Sequence, residues 1–158
     1  MDQVVDIADM QVSNDPRSTL VTYSLGSCVG VAIWDPAALV GGMLHYMLPD
    51  STLSPEKAKA NPCMFGDTAI PKLFRAAYEL GAVKKRLVVK VAGGSRLLDD
   101  NGVFNIGKRN YVILRKIFWK NGVSIHAEDV GGSMSRTMRL DVQSGRVTIR
   151  NRGEERWL

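Results

Sequence analysis

The chain holds two cysteines, Cys28 and Cys63, and two histidines, His45 and His126. A thiol beside an imidazole can do nucleophilic chemistry. A free thiol titrates near ~8.5, so only a few per cent is thiolate at neutral pH. An imidazole that takes its proton makes the nucleophile and can return that proton to a departing amine. Cys28 and His45 are candidates because they flank Pro36-Ala37, a turn signal between two β-branched and aromatic runs. Symmetric closure about that dipeptide sets Trp34 opposite Leu39 and Cys28 opposite His45. Opposed residues have Cβ atoms ~4.5–5.5 Å apart, within reach of a thiol–imidazole hydrogen bond. A bulge at Gly41-Gly42 would move this register by one residue.

A third group usually holds the imidazole, and Thr22, on the preceding strand, has a suitable hydroxyl. Gly26 and Ser27, just before Cys28, are candidates for substrate or oxyanion binding, because backbone N–H groups at a strand mouth can face an oxyanion. Each residue also has a plainer reading. Cys28 and His45 can be core residues, and Thr22 a strand former. Cys63 lies in a loop without a nearby histidine, and His126 reads as a packed or half-exposed strand residue. Gly93-Gly94-Ser95 and Gly131-Gly132-Ser133 complete no phosphate-binding fingerprint and read as tight turns.

The elements that must position these groups follow from periodicity. Strands are expected at 21–25, 29–34, 39–48, 87–92, 123–129, 136–142 and 146–150, the last two forming a hairpin about Gln143-Ser144-Gly145. Residues 51–65 read as a loop with at most a short helix. Asp67 or Thr68 can cap a helix that buries Ile70, Leu73, Phe74, Ala77 and Leu80 and stops at Gly81, with Pro71 tolerated near its first turn. Asn105 can cap a second, running to Lys120, with Tyr111, Leu114, Ile117 and Phe118 inward and Asn121-Gly122 closing it. Six or seven strands and two principal helices, grouped rather than alternating, predict an α+β single-domain sandwich of mainly antiparallel sheets.

Composition narrows the rest. Hydrophobic residues are 45% and charged residues 23% of 158, ordinary for a globular domain. The apolar runs are strand-sized, and residues 1–6 lack a secretory pattern, so a cytoplasmic protein, not embedded in a membrane, is expected. Two cysteines make no disulfide framework, and the cysteines and histidines lack paired metal-ligand spacing. The net charge of +5 and pI near 9.4 come from dispersed basic residues and the arginine-rich tail, without a nucleic-acid motif. Such a surface serves equally for docking an acidic protein.

Leu25-Gly26-Ser27-Cys28-Val29, Gly41-Gly42-Met43-Leu44-His45-Tyr46-Met47-Leu48-Pro49, Gly66-Asp67-Thr68-Ala69-Ile70, Asn105-Ile106-Gly107-Lys108-Arg109-Asn110 and Asp129-Val130-Gly131-Gly132 together resemble the CheD family of chemoreceptor glutamine deamidases. The resemblance covers about residues 20–150, leaving residues 1–18 and the tail from Gly153 outside it. It departs at Ser135, where a glycine is expected before Arg136. It implies a three-layer sandwich related to toxin deamidases. It also implies a triad of Cys28, His45 and Thr22, with no cofactor or metal. The implied reaction converts receptor glutamines to glutamate through a cysteine thioester in chemotaxis adaptation. The implied partners are the cytoplasmic helices of methyl-accepting chemoreceptors and, for some members, the CheC phosphatase. The rivals are a non-catalytic adaptor of CheC and receptors, a cysteine hydrolase of a small amide, and, on charge alone, nucleic-acid binding.

Overall fold

The computed structural model describes residues 1–96 and 105–158. Within them run strands β1 (Asp2–Val4), β2 (Asp9–Ser13), β3 (Thr19–Leu25), β4 (Val29–Asp35), β5 (Val40–Tyr46), β6 (Val88–Gly93), β7 (Ala127–Val130), β8 (Arg136–Asp141), β9 (Val147–Asn151) and β10 (Glu154–Trp157). The helices are α1 (Pro55–Ala60), α2 (Gly66–Glu79) and α3 (Ile106–Asn121). The strands form two five-stranded sheets, ordered β1-β3-β8-β9-β10 and β2-β5-β4-β6-β7. Every pairing is antiparallel except β1 with β3 and β6 with β7.

Side-chain alternation along β4 and β5 creates three layers. Val29, Val31, Ile33, Leu44 and Tyr46 point to the helices and pack on Ile70, Leu73, Leu114 and Phe118. Ala32 and Met43 point the other way, joining Leu20, Leu25, Met138 and Leu140 of the first sheet. The second sheet is therefore covered on both faces, which is why all seven residues of β5 are buried. Each large aliphatic side chain so buried stabilises the fold by roughly 1.5–3 kcal/mol. No helix among the described residues is long and apolar enough to cross a membrane.

The expected α+β sandwich of mainly antiparallel sheets with two long helices is thus present, with more strands than the periodicity predicts. β1, β2 and β10 are short and largely outside the core, so they leave no apolar pattern to read. The β8–β9 hairpin forms where expected. The segment read as a loop before α2 holds α1 and two single 3-10 turns. β7 is shorter than its expected span.

Three local expectations are corrected. The β4–β5 register places Gly30, not Cys28, opposite His45, and Trp34 opposite Gly41. The connection is four residues long, because Asp35 pairs with Val40 and Leu39 takes a left-handed φ of 51°. Gly41 and Gly42 carry no bulge; pairing runs unbroken through both, and their missing side chains admit Val142 and Leu140 on one face and Leu73 on the other. Neither Asp67 nor Thr68 caps α2. The Asp67 carboxylate accepts from the Ser51 amide and hydroxyl, Thr68 donates to the Pro62 carbonyl at 2.6 Å, and Pro71 stands beyond the first turn. Asn105 does precede α3, but its side chain makes no cap.

Candidate active site

His45 and Thr22 lie on different sheets and meet in the space between them. His45 is on the inward face of β5, fully buried, opposite the bare Gly30; a Cβ there would strike Leu25 at 2.8 Å. Thr22, equally buried, points across from β3, and its Oγ1 is 2.7 Å from His45 Nδ1. The same hydroxyl donates to the Val5 carbonyl at 2.7 Å. A carbonyl can only accept, and a threonine has one proton to give. Thr22 therefore accepts from His45, which fixes the proton on Nδ1 and leaves Nε2 with its lone pair free. Nε2 is buried and makes no hydrogen bond with the described residues.

Cys28 ends the segment joining β3 to β4. After Thr22, β3 bulges: Tyr23 and Ser24 stand against Thr137 alone, and Ser24 adopts a φ of 59°. Gly26 N–H closes back onto the Ser24 carbonyl at 2.9 Å, so it is already committed. The Ser27 and Cys28 amides donate to no backbone carbonyl among the described residues. Cys28 is partly buried and packs against the cluster between the sheets, on the side where His45 lies. The register slip explains this. Because it is an even number of residues, Cys28 keeps the face expected of it and becomes diagonal rather than opposite to His45.

Neighbouring turns hold the segment. Gly94 N–H donates to the Cys28 carbonyl at 2.9 Å and Ser95 N–H to that of Gly26 at 2.8 Å. Gly93 has a φ of 107°, and a Cβ on it would lie 2.2 Å from the Cys28 carbonyl oxygen. Arg136, buried, donates to the Gly93 and Gly131 carbonyls and to Ser95 Oγ, at 3.2, 2.6 and 2.8 Å, and lies 3.4 Å from the Asp129 carboxylate. From α3, Asn110 Nδ2 donates to the carbonyls of Ser27 and Met47, each at 2.9 Å.

Electrostatics keep the pair uncharged. Burial lowers the His45 pKa from 6.5 to about 4. Burial raises the Cys28 thiol, with its own backbone amide opposing that rise. At neutral pH the site therefore holds a thiol and a neutral imidazole whose free nitrogen is a base. It can accept a proton as the sulfur attacks, rather than store a preformed ion pair.

A family model described as CheD chemotactic sensory transduction matches residues 47–151. The curated relatives extend the match over nearly the whole chain. One from Syntrophus aciditrophicus, named probable chemoreceptor glutamine deamidase CheD 1, is 54% identical across 96% of this chain and 95% of its own. Proteins of Solibacter usitatus and Anaeromyxobacter dehalogenans, named probable chemoreceptor glutamine deamidase CheD and CheD 2, are each 50% identical. The first covers 98% of this chain and 92% of its own, the second 93% and 92%. The chain belongs to the CheD family. A solved Neisseria meningitidis structure overlaps 82% of this chain and 62% of its own at a TM-score of 0.46 and 10% identity, too slight a likeness to bear on the site.

The remaining residues of this CheD chain sort by position. Cys63 is buried on the helix side of the second sheet, away from His45, and burial raises its thiol pKa. His126 uses Nδ1 to accept from the Val89 amide and its own N–H to bond the Val89 carbonyl, extending the edge of β6. Two arginines of the basic tail are engaged: Arg146 stacks 4.0 Å over Trp157, and Arg156 pairs with Asp129 at 2.6 Å. Ser135 has no positive φ, so a serine fits where the CheD pattern has glycine. Sequence reasoning missed Val5, Asn110 and Arg136 as parts of the site. Asn110 lies within a motif of the resemblance and Gly93-Gly94 read as a plain turn, but their bonds to the Cys28 segment join residues far apart in the chain. Val5 acts through a carbonyl, which no residue type reveals.

Proposed function

We propose that this chain is a protein-glutamine deamidase that converts glutamines on methyl-accepting chemoreceptors to glutamate, its whole length acting as one domain. CheD membership and the names of the relatives support the reaction class and the substrate. The observation that carries the site is the chain of bonds from His45 Nδ1–H to Thr22 Oγ1 to the Val5 carbonyl, which leaves Nε2 as a buried, unpartnered base in the layer where Cys28 packs.

In this reading Cys28 is the nucleophile, His45 the base and acid, and Thr22 the group that orients the ring. The Cys28 sulfur bonds to the side-chain amide carbon while its proton moves to Nε2. The imidazolium gives that proton to the amide nitrogen, the C–N bond breaks, and ammonia leaves a thioester. Water then attacks the same carbon, His45 takes its proton and returns it to the sulfur, and glutamate is released. The Ser27 and Cys28 amides serve as oxyanion donors, since Gly26 N–H is already bonded. The CheC phosphatase as a partner and a cytoplasmic location complete the proposal, both on the strength of the family resemblance.

The test is intact-mass analysis of a chemoreceptor cytoplasmic fragment incubated with the protein, with Cys28→Ala and with Cys63→Ala. The expected result is the mass gain of NH2-to-OH exchange with the unmutated protein and with Cys63→Ala, and none with Cys28→Ala. Undiminished exchange by Cys28→Ala would remove the nucleophile. No exchange by the unmutated protein on a cognate fragment would turn the reading toward an adaptor.

A further inference from the structure

Asn110 is fully buried on α3, yet its side chain serves the far ends of two strands. Its amide nitrogen has two protons and spends both, one on the Ser27 carbonyl and one on the Met47 carbonyl, each at 2.9 Å. Ser27 immediately precedes Cys28, and Met47 stands two residues beyond His45. Turning the amide over would set oxygen against two carbonyls, so its orientation is dictated by what it holds. The helix is itself fixed at this point. The Tyr46 hydroxyl donates to the Asn110 carbonyl at 2.6 Å, and a Cβ on Gly107 would lie 2.2 Å from the Ser95 carbonyl oxygen.

The other half of the amide is left over. Asn110 Oδ1 is buried without a hydrogen-bond partner among the described residues, a cost set against the two carbonyls that the same amide satisfies.

We propose that Asn110 is a positioning residue for the deamidation: its two donated bonds tie the segment bearing Cys28 to the end of the strand bearing His45 and set the separation of sulfur and base. This rests on the reading of Cys28 and His45 given above. Neither bond touches a reacting atom, so Asn110 acts only through that pair.

The test needs no substrate. The pH profile of Cys28 alkylation by iodoacetamide, read by peptide mass, is compared for the unmutated protein, His45→Ala, Asn110→Ala and His45→Ala/Asn110→Ala. Thermal melts confirm that each is folded. Asn110→Asp joins the set as a variant of the same shape that has at most one proton for two carbonyls.

Losing the base should slow alkylation at neutral pH by roughly 10²-fold, the low end of what a positioned base contributes by taking the proton as the sulfur attacks. The Asn110 variants should show the same loss and the same profile as His45→Ala. The double variant should be no slower than His45→Ala, because residues acting as a unit are non-additive. Folded Asn110 variants with the unmutated profile would overturn the proposal, as would losses that multiply in the double variant. If His45→Ala itself leaves the profile unchanged, it is the reading of the pair that fails. Should Asn110→Ala not fold, Asn110→Asp decides by the same criteria.

Discussion

In the proposed triad Thr22 would be an unusual third group for a cysteine–histidine pair, because a hydroxyl has no charge with which to steady an imidazolium. What it supplies is a fixed tautomer. The Val5 carbonyl takes the only proton Thr22 can donate, so the hydroxyl must accept from Nδ1. The dry surroundings that fix this arrangement also make His45 hard to protonate, and the effect on stability has a definite sign. The unfolded chain binds the proton near 6.5 and the folded chain only at about 4, so stability is full above the first value and lost as pH falls toward the second. The loss should be about 3 kcal/mol. Urea melts at neutral pH and near pH 4 should show it for the unmutated protein and lack it for His45→Gln. An equal loss in both would assign acid sensitivity to other groups. At this scale the residues of the proposed site, and the face that Cys28 shares with His45, were legible in the sequence, though not which residue stands opposite His45. Val5 was not, because its contribution is a backbone atom brought by a distant strand.

At the scale of elements, the β4–β5 connection shows how a wrong register can leave a right face. Asp35 ends β4 with a buried carboxylate that accepts from the Ala37 and Ala38 amides, from Val83 N–H and from Arg86. Burial pushes its pKa up, but these partners together hold it well below the ordinary carboxylate range. That anchorage widens the turn by an even number of residues, so the alternation survives while the opposed pairs change. Periodicity was legible because each strand lies between apolar layers. Turn length was not, since it depends on Val83 and Arg86, far along the chain. The Gly-Gly turns read as plain connections, yet one of them supports the nucleophile segment. Gly93→Ala should lower deamidation by roughly 10²-fold by displacing the Cys28 carbonyl. Gly81→Ala is the matched control: its φ of 103° brings similar backbone strain, but nothing lies within 4 Å of the added carbon. Receptor-fragment deamidation by the two folded variants separates displacement from strain, and equal losses would refute the explanation.

Over the whole molecule, the N-terminal residues gain a role that neither composition nor resemblance gave them. β1 pairs with β3 in one sheet and β2 with β5 in the other, so residues 1–18 join the layers while Val5 completes the bonds behind His45. Their sequence shows little of this, since the short strands are held mostly by backbone pairing. Deleting residues 1–8 should leave the second sheet in place but abolish most deamidation, with a smaller change in circular dichroism than in rate. Activity retained at the unmutated level would show that Thr22 orients the ring without Val5.

β3 is hydrogen-bonded on one side to β8, which is made from residues 136–141, although Thr22, Cys28 and His45 all lie within the first 45 residues. A ribosome therefore finishes the three residues of the proposed triad long before it makes β8, the longer of the two strands beside β3. Until β8 has emerged, the nascent chain has a thiol and an imidazole, but β3, which carries Thr22, has only the three-residue β1 beside it. In the proposed reading, the order of synthesis alone would withhold catalysis from a partly made chain.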